Sequence, residues 1–185
     1  MSIKILETYF PEVKILEPAI YSDDRGFFYE SYNYKNLKRL LNLDIDIDFV
    51  QDNHSCTSGG VLRGMHYQLK NPQGKLIRVI YGSIFDVVVD LRKKSPTFGH
   101  HTGIKITSES AHQLWVPPGF AHGFYVLSDT AEVLYKMTDY WSATDEHCLL
   151  WNDPDIAINW PFDANPDLSE KDRLGKKFKD CHHFI

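Results

Sequence analysis

The feature that most limits what this chain can fold into is a rhythm. From residue 47 to residue 138, short runs rich in Val, Ile, Phe and Tyr alternate with turn formers. The runs are 48–55, 61–68, 76–82, 83–91, 102–107, 113–116, 121–127 and 131–138. They are broken at Ser58-Gly59-Gly60, Asn71-Pro72-Gln73-Gly74, Thr107–Ser110, Pro117–Gly119 and Ser128–Asp129. Gly and Pro set backbone angles that a strand interior rejects, and Asn, Asp and Ser bond their own backbone in turns. Many short strands at this spacing predict an all-β barrel or sandwich. The Gly82-Ser83 junction between two apolar runs reads as a hairpin turn.

The flanks are less regular. Residues 1–20, with Pro11 and Pro18, read as an extended N-terminal arm with one strand near Val13–Leu16. YSDDRGFF at 21–28 is a turn feeding a strand. Leu37, Leu40 and Leu41 fall at i, i+3 and i+4, with Lys35, Lys38 and Arg39 elsewhere, which predicts a short helix over Tyr34–Leu41. After Trp141 the pattern fades into an irregular tail, about 142–185. The length suits a single domain spanning 1–185.

Composition narrows the function classes. A net charge of −5 argues against a general nucleic-acid binder but leaves room for a local positive site on a phosphorylated small molecule. Aromatics make up 14%, enough to line a pocket that stacks on flat ligands as well as a core. Cys56, Cys148 and Cys181 form no CxxC pair and fit free thiols in a reducing compartment. No apolar run approaches the ~20 residues of a membrane span, and MSIKILETYFPEV lacks the apolar core of a secretory signal. The expectation is a soluble cytoplasmic protein.

Polar residues concentrate in 59–92, GGVLRGMHYQLKNPQGKLIRVIYGSIFDVVVDLR, where Arg63, His66, Gln68, Lys75, Arg78, Asp86 and Asp90 interrupt strand-like sequence. Further on, Pro117, Gly119 and His122 precede an aromatic strand in LWVPPGFAHGFYVL. This spacing resembles the second motif of the cupin superfamily, the double-stranded β-helix barrels of jelly-roll type. The first cupin motif supplies two histidines and a glutamate to a metal. Here His66 is present, but Gln68, Gly74 and Lys75 stand near the other ligand places. A lysine in a divalent site is physically poor, so the expectation is a cupin-like barrel, with a few short helices, that has lost its metal. A pocket of His, Lys, Arg and Tyr suits removal of a proton next to a carbonyl. A base takes the proton, a cation holds the enolate oxygen, and an acid returns the proton.

Several stretches together carry a closer resemblance: DDRGFFYES (23–31), FVQDNHS (49–55), VLRGMHYQ (61–68), QGKLIRV (73–79), FDVVVDLR (85–92), QLWVPPGFAHGFYVLSD (113–129), LYKMTDYW (134–141), WNDPDIAINWP (151–161) and LSEKD (168–172). The sequence resembles the dTDP-4-dehydrorhamnose 3,5-epimerase family, enzymes of the dTDP-L-rhamnose pathway. The resemblance implies inversion of a dTDP-linked 4-keto-6-deoxy sugar at carbons 3 and 5, without metal or cofactor, by a homodimer whose N-terminal arm crosses to its partner. It implies His66 as base, Asp172 as its orienting carboxylate and Tyr135 as proton donor. Lys75 and His122 match sugar contacts, and Arg63 a diphosphate ligand. Arg25, Glu30, Gln51, Asp52 and Asn53 match the nucleotide site, and Glu146 and Lys171 peripheral positions. Trp141 stands where the family has a tyrosine stacked on thymine, and Met137 replaces a small polar residue. The alternatives are a single-carbon epimerase of another deoxysugar pathway and a non-catalytic sugar-binding cupin. One geometric demand is explicit. Arg63 and His66 would face opposite ways in a regular strand, so a shared site needs a bulge, placed at Gly64, or an arginine acting from the strand's end.

Overall fold

Strand alternation decides what each sheet face meets. The structure, a computed structural model, describes residues 2–42, 47–162 and 164–185. Two antiparallel sheets face each other. One holds β1 (Ile3–Glu7), β2 (Lys14–Pro18), β10 (Gln113–Val116), β7 (Lys75–Tyr81), β12 (Thr130–Met137) and β5 (Gln51–Ser58), in that spatial order. The other holds β13 (Glu146–Cys148), β6 (Leu62–Gln68), β11 (Phe120–Val126), β8 (Ser83–Asp90) and β9 (His101–Thr107). A small hairpin of β3 (Tyr21–Asp23) and β4 (Gly26–Phe28) stands outside both. From β5 to β8 and again from β10 to β13, each successive strand changes sheet. This is the jelly-roll barrel of the cupin type that the sequence predicts.

The changes of sheet correct one expectation. Gly82-Ser83 is not a hairpin: β7 pairs with β10 and β12, whereas β8 pairs with β11 and β9. Gly82, at φ +74, turns the chain from one sheet to the other. The N-terminal arm also has more structure than expected. It forms two strands, β1 paired with β2 and β2 paired with β10, so it extends the larger sheet. The first predicted run lies three residues later, as β5. The tail supplies β13, which pairs with β6, and a short helix α2 (Glu170–Arg173). Helix α1 (Tyr34–Leu40) forms as predicted, with Asn33 capping its first turn.

Three apolar clusters account for the long apolar runs. Between the sheets lie Ile77, Val79, Ile84, Val88, Leu114, Phe120, Phe124 and Val133, all buried. Outside the smaller sheet, Leu62, Met65, Tyr67, Val87 and Val89 pack under Leu149, Ile156 and Trp160 of the tail. Outside the larger sheet, Leu16, Leu76 and Trp115 pack with Leu37 of α1. With both faces covered, a strand such as β8 reads as a continuous apolar run rather than an alternating one. Among the described residues no helix is long and apolar enough to cross a membrane.

Candidate active site

The inward stripes turn polar at one end of the barrel. On β7 the inward positions are Lys75, Ile77 and Val79; on β12 they are Ala131, Val133, Tyr135 and Met137. On β11 His122 lies between Phe120 and Phe124, and on β8 Asp86 lies between Ile84 and Val88. Lys75, His122 and Tyr135 close the apolar core and line a cavity of about 610 Å³, with Asp86 buried behind His122. Its walls include Gln51, Asp52, Asn53, Arg63, His66, Lys75, His122, Tyr135, Trp141, Glu146 and Lys171. Eleven of the residues expected at the site therefore share one cavity.

Arg63 and His66 both reach that cavity because β6 is bulged. His66 lies opposite His122 and Arg63 opposite Phe124, so three steps on β6 match two on β11. The extra residue falls at Gly64–Met65, a cis peptide with Gly64 at φ +139. Leu62, Met65 and Tyr67 then face the outer cluster, leaving Arg63 and His66 on the inner side. A Cβ on Gly64 would stand 2.5 Å from Cα of Gly123, so only glycine allows the two backbones to meet here.

His66 Nε2 lies 2.5 Å from Oδ1 of Asp172, a carboxylate buried behind the cavity wall. Asp172 comes from α2, which the tail presses against β6: Leu62 N–H donates to Asp167 O, and Lys176 N–H to Cys148 O. Ser169 caps α2, donating its hydroxyl to Asp172 Oδ2 (2.8 Å) and accepting from Asp172 N–H. Burial pushes the Asp172 carboxyl up, but the hydrogen bond and charge of His66 and the Ser169 hydroxyl outweigh it, so the group lies below its ordinary range. An ionised Asp172 holds the proton of His66 on Nε2 and leaves Nδ1 as the basic nitrogen.

Across the cavity, the larger sheet supplies Lys75 and Tyr135. Lys75 is 7% exposed and donates to the carbonyl of His66 at 3.2 Å. Burial lowers it to about 8, against the opposing charges of Asp86 and Glu146. Burial raises the Tyr135 phenol, with Arg63 acting in the opposite direction, so it stays protonated at neutral pH. His122 donates its Nε2–H to Asp86 Oδ2 at 2.9 Å, and burial depresses its imidazole despite that carboxylate. Asp86 is fully buried and its other oxygen has no hydrogen-bond partner among the described residues. Sequence reasoning noted Asp86 as a polar interruption but gave it no place in the site. Its two-residue offsets from Ile84 and Val88 were the signal.

The outer part of the cavity is polar and held together. Trp141 N–H donates to Gln51 Oε1 at 2.8 Å, and the indole is 55% exposed at the rim. Gln51 donates to Asn53, Lys136 to Asp52, and Lys171 to Glu146. Arg63 donates from Nε to Thr57, leaving its terminal nitrogens for a ligand. Arg25 and Glu30 do not reach this cavity. Arg25 pairs with Asp23 on the exposed outer hairpin, and Glu30 accepts from Asn33 and Asn36 at the start of α1.

The usual cupin metal set does not fit these residues. Gln68 is held by Asn71 O, Tyr140 O and Ser142 N, His122 by Asp86, and the Lys75 ammonium lies within the would-be site. What remains is an acid–base cavity with a carboxylate-bound imidazole on one sheet and a phenol and an ammonium on the other.

A cupin-type jelly roll with a cavity of this kind defines the class of barrel that moves protons on a bound substrate. Residues 7–180 match the family described as dTDP-4-dehydrorhamnose 3,5-epimerase. A Pseudomonas aeruginosa enzyme of that name is 50% identical over 182 residues, covering 98% of this chain and 99% of the relative. One from Shigella flexneri is 49% identical, covering 99% and 100%. The crystal structure of dTDP-6-deoxy-D-glucose-3,5-epimerase from Legionella pneumophila Philadelphia 1, in complex with dTDP-4-keto-L-rhamnose, superposes with a TM-score of 0.94 at 46% identity, covering 98% of this chain and 95% of that one. The chain belongs to the dTDP-4-dehydrorhamnose 3,5-epimerase family.

Proposed function

We propose that this protein epimerises dTDP-4-dehydro-6-deoxy-D-glucose at carbons 3 and 5, giving dTDP-4-dehydro-L-rhamnose. The observation that carries the reading is the placement of His66, backed by Asp172 of α2, on one sheet against Tyr135 and Lys75 on the other, around one cavity. Both carbons flank the ketone at carbon 4, so loss of either proton gives an enolate. His66 Nδ1 takes the proton and the imidazolium that forms is balanced by Asp172. The electron pair passes to the ketone oxygen, where the Lys75 ammonium stabilises it. Tyr135 returns a proton from the opposite side, which inverts the carbon, and Arg63 favours the phenolate left behind.

The remaining residues fit the nucleotide. The free end of the Arg63 guanidinium suits diphosphate oxygens. Trp141 at the rim stacks on the base, with Gln51, Asp52 and Asn53 beside it. Glu146, Lys171 and His122 border the sugar. Arg25 and Glu30 serve from a second protomer in a cytoplasmic homodimer.

The test is proton exchange in deuterated water. Wild-type protein is expected to place deuterium at both carbons 3 and 5 of the substrate, and His66→Ala to place none. Label at one carbon would make it a single-carbon epimerase. Undiminished exchange in His66→Ala would remove His66 from its role.

A further inference from the structure

His66 has a neighbour that proton transfer does not use. Cys148 lies directly opposite it in the β13–β6 pair, where cross-strand side chains share a face. Among the described residues, His66, Cys148 and Asp172 bring one ligand atom each within 4.8 Å of one another. His66 Nε2 is 2.5 Å from Asp172 Oδ1, and Cys148 Sγ is 3.9 Å from that same oxygen. The three donors come from three elements, two of them neighbouring strands and the third α2.

We infer that His66, Cys148 and Asp172 form a binding site for a thiophilic divalent cation such as Zn2+ or Cd2+, and that the bound ion stops His66 from acting as a base. Imidazole, thiolate and carboxylate are the donors zinc prefers, at bond lengths of about 2.0–2.3 Å that set tetrahedral donors roughly 3.5 Å apart. The Cys148–Asp172 separation is already close to this. The His66–Asp172 separation opens by about 1 Å once the proton between them leaves. This set shares only His66 with the usual cupin site, so the misfit of Gln68, Lys75 and His122 does not bear on it.

Charge favours the ion. A thiolate at Cys148 would stand 3.9 Å from the Asp172 carboxylate, two like charges with a mutual repulsion. A dication reverses the penalty, because it neutralises thiolate and carboxylate together. The step balances without any redox change. Three metal–ligand bonds form, the thiol proton leaves to solvent, and the Nε2 proton passes to Nδ1, so the ring stays neutral. The fourth position takes water. With the ion on Nε2 and the proton on Nδ1, the ring has no lone pair left to take a substrate proton, and Asp172, bound to the ion, no longer supports an imidazolium.

Binding stands on the ligand geometry, whereas the loss of catalysis rests on His66 being the base, and the two are read separately. Chelator-treated protein is titrated with Cd2+ and followed by its thiolate-to-metal ultraviolet absorption and by proton release. Substrate deuterium exchange is measured in parallel with Zn2+ and Cd2+, each variant against its own metal-free rate. Expected for wild type are one ion per chain, the charge-transfer band, proton release, and loss of exchange that a chelator reverses. Cys148→Ser loses the band and is inhibited about tenfold less readily or weaker still. Asp172→Asn, which keeps the thiol, needs more Cd2+ for the same band. Cys56→Ser, lacking the exposed thiol of β5, binds like wild type. No band in wild type, or a band that survives in Cys148→Ser, overturns the site. A full band with undiminished exchange overturns the inhibition and counts against His66 as the base.

Discussion

At the scale of single residues, the most consequential group is Lys75, a cation almost wholly withdrawn from water at the cavity wall. Its ammonium is lowered to about 8 by burial, from an ordinary 10.5. The reaction needs the charged form, so turnover is expected to fall as pH rises through about 8. Stability runs the other way. Between about 8 and 10.5 the unfolded chain holds a proton that the folded chain has released, so this group's contribution to the unfolding free energy grows with pH. Exchange rate and melting temperature measured together across that range should diverge, and parallel decline of both would refute the assignment. Lys75→Gln should remove the alkaline fall and slow turnover by about a hundredfold or more. The residues of this site were unequally legible. His66, Lys75 and His122 interrupt apolar strands, and a polar residue on an inward stripe is visible by periodicity. Asp172 is not visible in that way. It lies in a polar tail where a carboxylate is ordinarily solvated, and only the LSEKD resemblance placed it behind His66.

Secondary-structure elements set those residues in register. For Arg63 and His66 to share a cavity, sequence parity left either a bulge in β6 or an arginine acting from the strand's end, and the register shift against β11 shows the bulge. Gly64→Ala should be among the costliest small substitutions in the chain. Its Cβ meets the Gly123 backbone at 2.5 Å and its φ is +139. A loss on the order of 2–4 kcal/mol is expected from the denaturant midpoint. Folded remnants should exchange substrate protons poorly because His66 has moved. The α2 cap gives a gentler test. Ser169→Ala removes the cap and the hydroxyl on Asp172 Oδ2, costing about 1 kcal/mol of stability. It should lower kcat with little change in KM, with recovery in Ser169→Thr; a change confined to KM would argue against Ser169 acting through Asp172. The Gly82 turn was misread for a physical reason. A glycine between two apolar runs serves equally at a hairpin and at a crossing between sheets, and only the pairing of distant strands separates them.

At the scale of the whole molecule, two of the residues expected at the site, Arg25 and Glu30, lie outside the cavity that one chain forms. The β3–β4 hairpin stands off the barrel and exposes Tyr21, Phe27 and Phe28, the two phenylalanines at 72% and 62%. Apolar rings so exposed mark an interaction surface, and Arg25 lies at the turn between the two strands. Meanwhile β5, which carries Gln51 and Asn53, is an unpaired edge of the larger sheet beside the cavity. A two-fold dimer makes such surfaces self-complementary, each protomer giving its hairpin to the other's cavity. The arrangement predicts complementation. Arg25→Ala has an intact His66 and lacks only its guanidinium; His66→Ala keeps Arg25 and lacks the base. If Arg25 acts across the interface, mixing the two weakly active variants after reversible dissociation assembles mixed dimers with one complete site each. Half the dimers in an equal mixture are mixed, so exchange at low substrate should recover to about a quarter of the wild-type rate. If Arg25 acts within its own chain, the mixture stays at the average of its parents. Phe27→Ser with Phe28→Ser should shift sedimentation from dimer to monomer and weaken dTDP binding together, and a variant that stays dimeric with unchanged affinity would take the hairpin out of the interface.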